Sequence, residues 1–240
     1  MAPVQASGSL ALNGPVPTTP ARFESATTPS WTAIVPLRSL AEGKSRLSSE
    51  SQGTALLIEA LALDVLRACR ACSDIDQIVV VSPDPAVHEL AGAEGCVSFE
   101  EASATGINEA ISAARKAHAP AETVIAILGD APCLTPEVLT TVLLQASQHA
   151  VSFVPDAAGT GSTMWCTQAP DAVSHFGPHS RAHHRASGAV ELGPNSPMGD
   201  DAVWTWARAR RDVDTEVDLW DALRIGVGPA TSAAVRDINR

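Results

Sequence analysis

Three aspartates stand where an enzyme could use them to bind a metal ion. Asp130 directly follows the very apolar segment 123–128, in a Gly-Asp-Ala-Pro turn. Asp212 and Asp214 are separated by a single valine, and alternation along an extended chain places both carboxylates on one face. If the three carboxylates converge, they form a hard-oxygen site that suits Mg²⁺.

Each of these acidic segments also has a structural interpretation. An aspartate that follows a strand, such as Asp130, often accepts backbone N–H bonds within a turn. Thr215 with Asp218 three residues later resembles the start of a capped helix, so Asp212 or Asp214 could serve only that turn. The residue types alone leave both interpretations open.

Basic residues that could bind phosphate follow the first predicted strand. Arg38, Lys44 and Arg46 lie in one loop, and such loops in α/β proteins commonly contact phosphates through amides and cationic side chains. The sequence Gly-Lys-Ser at 43–45 is not a Walker loop, because that motif needs a glycine at the position of Arg38. A solvated basic loop is the alternative interpretation.

Two further loops carry hydroxyls next to glycines. In the segment 155–163, glycines allow the backbone to approach a ligand, and Thr160, Ser162 and Thr163 could bind phosphate or carboxylate oxygens. The sequence Phe-Gly-Pro-His-Ser-Arg at 176–181 precedes a predicted helix, whose N-terminus is a second candidate seat for an anion.

Strands and helices that alternate along the chain must position these loops. Strands are predicted at 32–37, 77–81, 96–99, 123–128 and 151–154, and helices at 54–72, 108–118 and 136–148. A further helix is predicted to open at Ser82-Pro83-Asp84-Pro85 and to run to about residue 93. Thr135 and Pro136 have the residue types of a helix N-cap and first helical position. This alternation predicts a mostly parallel central sheet flanked by helices, with ligands bound beyond the carboxyl ends of the strands.

Composition limits the classes of function. Residues 1–30 are rich in proline and small residues and predict a flexible tail, which leaves 31–240 as a single domain. The net charge of −11 argues against nonspecific binding of nucleic acid. No apolar run is long enough to cross a membrane, so no membrane partner is expected. Five cysteines and no signal segment predict a cytoplasmic protein.

Cysteine and histidine pairs offer weaker candidates. Cys69 and Cys72 form a CxxC late in a predicted helix, where structural packing is favoured over redox chemistry or zinc. His179, His183 and His184 have the spacing of metal ligands on a helix. No carboxylate or cysteine stands at a matching spacing nearby, so solvated or phosphate-contacting histidines are favoured over zinc.

Seven short motifs follow one another along the chain. They are Arg38 with Lys44-Ser45-Arg46-Leu47, Leu63-Asp64-Val65-Leu66, Gly106-Ile107-Asn108, Gly129-Asp130-Ala131-Pro132, Pro155-Asp156-x-x-Gly159-Thr160-Gly161, Phe176-Gly177-Pro178-x-Ser180-Arg181 and Asp212-Val213-Asp214-Thr215. In order and spacing the set resembles the phosphoenolpyruvate/2-phospho-L-lactate guanylyltransferase family. That family makes the activated phosphoester used to build the deazaflavin coenzyme F-420. The resemblance covers about 31–223, essentially the whole predicted domain.

The resemblance implies a fold, a reaction and a set of site residues. The fold is a Rossmann-like, GT-A-like nucleotidyltransferase sandwich. The reaction moves GMP from GTP, the co-substrate, to the phosphate of phosphoenolpyruvate or 2-phospho-L-lactate and releases diphosphate. The implied residues are Lys44, Arg46 and Asp130 for catalysis; Ser162, Gly177 and Ser180 for the phospho-acid; Arg38, Lys44, Gly106 and Asn108 for the nucleotide; and Asp130, Asp212 and Asp214 for two Mg²⁺ ions.

Departures from the family pattern bear on the substrate rather than on the reaction class. Arg38 stands where lysine is common, Ile107 where leucine is usual, Ala157 where arginine is frequent, and Ser162 where threonine is usual. The resemblance favours phosphoenolpyruvate as acceptor and implies hand-over of the product to a downstream transferase. Two alternatives are another nucleotidyltransferase of the same fold and a non-catalytic regulator that binds GTP or phosphate.

Overall fold

Apolar strands in an alternating β-α order build one sheet that positions the candidate loops. The structure is a computed structural model that describes residues 30–39, 51–100, 106–119, 123–194 and 200–238. The predicted tail at 1–30 lies outside the described residues except for Ser30. In the described ranges the strands are β1 Trp31–Pro36, β2 Ile75–Ser82, β3 Val97–Glu100, β4 Thr123–Ile127, β5 Val151–Pro155, β6 Ser162–Thr167 and β7 Val190–Glu191.

The sheet is mostly parallel, as predicted, with one strand reversed. Its strand order is β3-β2-β1-β4-β6-β5-β7. The pairs β1–β2, β1–β4, β2–β3 and β5–β7 are parallel, whereas β6 is antiparallel to both β4 and β5. The sequence analysis did not predict β6, because its first residues belong to the glycine-rich stretch and none of its residues is exposed to mark an alternation.

Helices cover the sheet, and several begin at the capping signals read from the sequence. In the described residues they are α1 Ser51–Ala71, α2 Pro85–Ala93, α3 Ile107–His118, α4 Pro136–Ala146, α5 Ser180–Ala186, α6 Asp200–Arg210, α7 Glu216–Ile225 and α8 Pro229–Ile238. The hydroxyl of Thr135 accepts the N–H of Val138, and Thr215 with Asp218 forms a capping box. Both predicted helix starts are confirmed.

The core lies on both faces of the sheet because successive strand residues point to opposite sides. In β1, Ala33 and Val35 pack with α1 and α4, whereas Ile34 packs on the other side with Ile111 of α3. Cys69 and Cys72 are buried in the first of these layers and do not form a disulfide, as the packing interpretation predicted. Among the described helices, none combines the length and apolarity needed to span a bilayer.

A buried carboxylate fastens the last helix to the first. Asp64 of α1 is 3% exposed and accepts the backbone N–H groups of Ala230 and Thr231 at distances of 3.0 and 2.8 Å. These amides belong to the first turn of α8, where no intrahelical acceptor is available. Asp64 therefore caps α8 from a distant part of the chain.

We expect Asp64→Ala to lower the free energy of unfolding by about 2 kcal/mol, because two N–H donors, one of them buried, lose a charged acceptor. Urea denaturation monitored by circular dichroism measures this loss. Asp76→Ala, at an exposed position in β2, is the matched control and should change stability by less than about 0.5 kcal/mol. Equal effects of the two substitutions would contradict the capping role of Asp64.

Candidate active site

A cleft of about 750 Å³ opens at the carboxyl ends of the parallel strands. Its walls are the turn after β1, the turn after β4, the glycine-rich loop between β5 and β6, and the segments 176–180 and 212–214. Among the sequence-predicted site residues, those that line it are Arg38, Asp130, Ser162, Gly177, Ser180, Asp212 and Asp214. Parallel strand direction explains why the turns after β1, β4 and β5 meet, because these three turns leave the sheet at the same edge.

One backbone hydrogen bond joins the two acidic segments. The N–H of Val213 donates to the carbonyl oxygen of Asp130 at 2.9 Å. The side chain of Val213 is fully buried in the core, so its neighbours Asp212 and Asp214 are directed to the cleft. The three carboxylates therefore share one wall, and the alternation that predicted a common face for Asp212 and Asp214 agrees with the structure.

The carboxylates repel one another, and this repulsion is one cause of the raised pKa of Asp212. Burial, together with the negative charges of Asp130, Asp214 and Asp156, raises the pKa of Asp212 to about 7, against a backbone hydrogen bond that lowers it. The proton-bound form of Asp212 is favoured because ionisation would add a charge to a crowded, partly desolvated wall. A cation among these carboxylates would offset that repulsion.

The donor set fits a hard divalent cation, since Asp130, Asp212 and Asp214 offer carboxylate oxygens. In the part of the chain that the structure describes, no three or more His, Cys, Asp or Glu side chains are gathered closely enough to form a complete metal-binding cluster. Binding a metal would therefore need the side chains of Asp130, Asp212 and Asp214 to draw together, or oxygens from a substrate.

Asp156 shapes the glycine-rich loop. Its carboxylate accepts the N–H groups of Thr160 and Gly161 at 2.9 and 2.7 Å. A Cβ at Gly161 would lie 2.5 Å from a carboxylate oxygen of Asp156, so this close approach requires glycine. The hydroxyl of Thr163, a candidate ligand group in the sequence, is fully buried and donates to the carbonyl of Ala209, which corrects that expectation.

Arg181 fastens α5 to the same loop. Its guanidinium donates two hydrogen bonds of 2.8 Å to the carboxylate of Glu191 and one of 2.8 Å to the carbonyl of Gly159. The hydrogen bonds to Glu191 raise the pKa of Arg181, and they occupy the guanidinium that the sequence analysis placed at a candidate anion-binding site. Arg181 therefore stabilises the conformation of the glycine-rich loop. Within α5, Ser180 is the residue that lines the cleft.

Two buried serines lie side by side in the cleft wall. The hydroxyl of Ser180 donates to that of Ser162 at 3.2 Å, and the residues are 2% and 4% exposed. His184 lies on the other side of Ser162, with Nδ1 at 2.9 Å from Oγ. Gly177, three residues before Ser180, has φ of 129°, a conformation that favours glycine. The sequence analysis did not assign His184 to this cluster.

Asn108 lies behind the segment 176–180 rather than in the lining of the cleft. Its amide nitrogen donates to the carbonyl of Phe176 at 2.9 Å, and its amide oxygen accepts from the Phe176 N–H and the Ser174 hydroxyl. These hydrogen bonds fix the backbone conformation immediately before Gly177. Gly106, with φ of 124°, is the N-cap of α3 and likewise does not line the cleft.

The first loop is only partly described. Arg38 is exposed and lines the cleft. Lys44 and Arg46, predicted to contact phosphates, lie outside the described residues.

Comparison with known proteins identifies the family. The chain is 39% identical over 213 residues to the phosphoenolpyruvate guanylyltransferase of Streptomyces coelicolor, a match that covers 85% of this chain and 94% of that protein. The phosphoenolpyruvate guanylyltransferase of Streptomyces avermitilis is also 39% identical, with 85% and 93% covered. The chain belongs to the phosphoenolpyruvate guanylyltransferase family.

This family lies within a broader class of nucleotidyltransferases. Residues 40–189 match the model of the MobA-like NTP transferase domain. A solved protein from Desulfovibrio desulfuricans, described as a nucleotide-diphospho-sugar transferase, superposes with a TM-score of 0.63 at 15% identity and covers 87% of this chain and 95% of its own. The predicted GT-A-like nucleotidyltransferase fold is confirmed, and the protein is a nucleotidyltransferase.

Proposed function

We propose that this protein transfers GMP from GTP to the phosphate of phosphoenolpyruvate and releases diphosphate. The observation that carries the proposal is the meeting of an acidic wall, Asp130 with Asp212 and Asp214, and a hydroxyl wall, Ser162 with Ser180, in one cleft. The first suits a metal-bound nucleotide, and the second suits the oxygens of a small phospho-acid. Relatives named phosphoenolpyruvate guanylyltransferase support this choice of acceptor.

The reaction needs positioning more than proton transfer. The nucleophile is a phosphate oxygen of the acceptor, which is largely dianionic at neutral pH because the second pKa of a phosphomonoester is roughly 6. No general base is therefore required. The protein must hold two anions together in line at the α-phosphorus, and we assign this to the cations Arg38, Lys44 and Arg46.

Asp130, Asp212 and Asp214 would hold Mg²⁺, as two ions, beside the triphosphate. When bound, the metal neutralises phosphate oxygens and stabilises the departing diphosphate. The backbone hydrogen bond between Val213 and Asp130 holds the two acidic segments next to each other, so that their carboxylates would bind one ligand. Desolvation of this wall strengthens the interaction of the carboxylates with any cation.

Ser162, Ser180 and the backbone at Gly177 would bind the carboxylate and phosphate of the acceptor. Such a pocket also admits 2-phospho-L-lactate, which carries the same two anionic groups, and the relatives' name favours phosphoenolpyruvate. The product would be an activated diester, which we assign to coenzyme F-420 biosynthesis in the cytoplasm with hand-over to a downstream transferase.

Diphosphate release by the purified protein tests the proposal. We expect release with GTP, Mg²⁺ and phosphoenolpyruvate together, little release without acceptor, and loss of activity when EDTA removes the metal. ATP and CTP in place of GTP are controls for the base, and 2-phospho-L-lactate is the competing acceptor. GTP binding with no release for any acceptor would contradict the proposal and favour a non-catalytic regulator.

A further inference from the structure

His184 is a fully buried histidine beside the acceptor pocket. Its ring stacks on Phe153 with centroids 5.2 Å apart and meets the ring of Phe176 edge-on at 5.3 Å. Both ring nitrogens nevertheless have hydrogen-bond partners, the backbone of His175 and the hydroxyl of Ser162. A polar ring held this tightly among aromatic side chains is fixed in one orientation.

The hydrogen bonds determine which nitrogen of His184 carries the proton. The backbone N–H of His175 lies 2.9 Å from Nε2, and because a backbone N–H can only donate, Nε2 is an acceptor without a proton. Burial, with the neighbouring His175 and His183, lowers the pKa of His184 to about 4, so the ring is neutral at physiological pH. The single proton therefore resides on Nδ1 and is donated to Ser162 Oγ at 2.9 Å.

Ser162 consequently has a defined hydroxyl orientation. Its oxygen accepts two hydrogen bonds, one from Nδ1–H of His184 and one from the hydroxyl of Ser180. Since a hydroxyl oxygen has two lone pairs, the remaining capacity of Ser162 is to donate its own hydrogen. Ser162 lines the cleft, so that hydrogen is available to a ligand oxygen.

We propose that His184 is a positioning residue for the acceptor: it holds Ser162 as a donor to an anionic oxygen of the phospho-acid. The inference rests on the proposed function. A neutral imidazole is suited to this task, because it orients the hydroxyl without adding a charge that would respond to pH near neutrality. The serine then recognises an acceptor oxygen specifically, since it has no lone pair left for a donor group.

Steady-state kinetics of His184→Phe test this role. Phenylalanine preserves the aromatic packing and removes both ring nitrogens. We expect the KM for phosphoenolpyruvate to rise about tenfold, the effect of losing an oriented hydrogen bond to an anion, while the KM for GTP changes less than twofold. His184→Asn, whose amide can replace the Nδ1 donor, should recover most of the loss. His149→Phe, at a partly buried position away from the cleft, should change neither KM.

A double-substitution cycle separates positioning from general structural damage. In a Ser162→Ala background, His184→Phe should change the acceptor KM by less than twofold, because the residue acts through the missing hydroxyl. A multiplicative loss in the double variant would overturn the proposal. Absence of transfer by the unsubstituted protein would overturn the proposed function itself, which is a distinguishable outcome.

Nitrogen NMR of the ¹⁵N-histidine-labelled protein gives a readout that does not depend on turnover. At pH 7 we expect the shifts of His184 to report a neutral ring protonated at Nδ1. His184 is assigned by the loss of its signals in His184→Asn. A ring protonated at Nε2, or a charged ring, would overturn the proposal whatever the kinetics.

Discussion

Asp130→Asn should lower kcat by a factor of about 10³ and leave the fold intact. Asparagine keeps the size of the side chain but removes the charge that the proposed nucleotide-bound metal requires, and such losses act on the transition state more than on binding. The hydrogen bond between Val213 and Asp130 uses the backbone carbonyl and survives the substitution. Diphosphate release gives kcat, and circular dichroism with a thermal melt verifies folding.

The matched control is Asp171→Asn, which makes the same chemical change at an exposed position outside the cleft. We expect its kcat to stay within twofold of the unsubstituted protein. A near-normal kcat for Asp130→Asn, with Asp171→Asn equally silent, would remove Asp130 from the metal site.

Asp212→Asn should have opposite effects on activity and stability. We expect kcat to fall by a factor of about 10², because a proposed metal ligand is lost. In metal-free buffer at pH 8, Tm should rise by about 3 °C, because the substitution removes a carboxylate whose ionisation is opposed by burial and by Asp130. Differential scanning fluorimetry measures the shift.

The pH dependence of that shift follows from the direction of the pKa change. The folded-state pKa of Asp212 is raised to about 7, so its stability contribution is full below the unfolded-state pKa of about 3.9 and is lost as pH rises through 7. The Tm gain of Asp212→Asn should therefore be large at pH 8 and small at pH 5. An equal gain at both pH values would contradict the raised pKa, and Asp171→Asn should show no gain at either.

Local signals predicted most of the elements. The central strands β1, β2 and β4 are short apolar runs that fill both faces of a parallel sheet, and the helix starts at Thr135 and Thr215 carry their caps in the sequence. Elements of this kind depend on residues close together along the chain. The alternating order of these strands and helices in turn predicted a mostly parallel sheet that binds ligands beyond the carboxyl ends of its strands.

Features that depend on distant contacts were not predictable in the same way. The reversed strand β6 pairs with β4 and β5, and nothing in the glycine-rich stretch before it marks that direction. The sequence favoured a solvated or phosphate-contacting role for His179, His183 and His184, because no carboxylate or cysteine stands at a matching spacing nearby. His179 and His183 are exposed, whereas His184 is fully buried. Phe153 and Phe176, from other parts of the chain, bury it.

The sequence predicted the acidic residues of the candidate site better than it predicted the residues that hold the site in place. Asp212 and Asp214 could be assigned a common face from their spacing, but the hydrogen bond from Val213 to the Asp130 carbonyl, which joins the two segments, has no signal in the sequence. The family resemblance placed Asn108 near the nucleotide. Its amide instead forms hydrogen bonds with the backbone carbonyl and N–H of Phe176. Phe176 is distant in the sequence, so this contact could not be predicted from it.

Phosphorus NMR of a quenched reaction with GTP, Mg²⁺ and phosphoenolpyruvate tests the proposed transfer most directly. Guanylyl transfer joins two unlike phosphorus atoms through one oxygen, so we expect a new pair of mutually coupled doublets together with free diphosphate. Those doublets should be absent with Asp130→Asn and present with Asp171→Asn. Consumption of GTP with only orthophosphate, GDP or GMP as products would contradict guanylyl transfer to phosphoenolpyruvate.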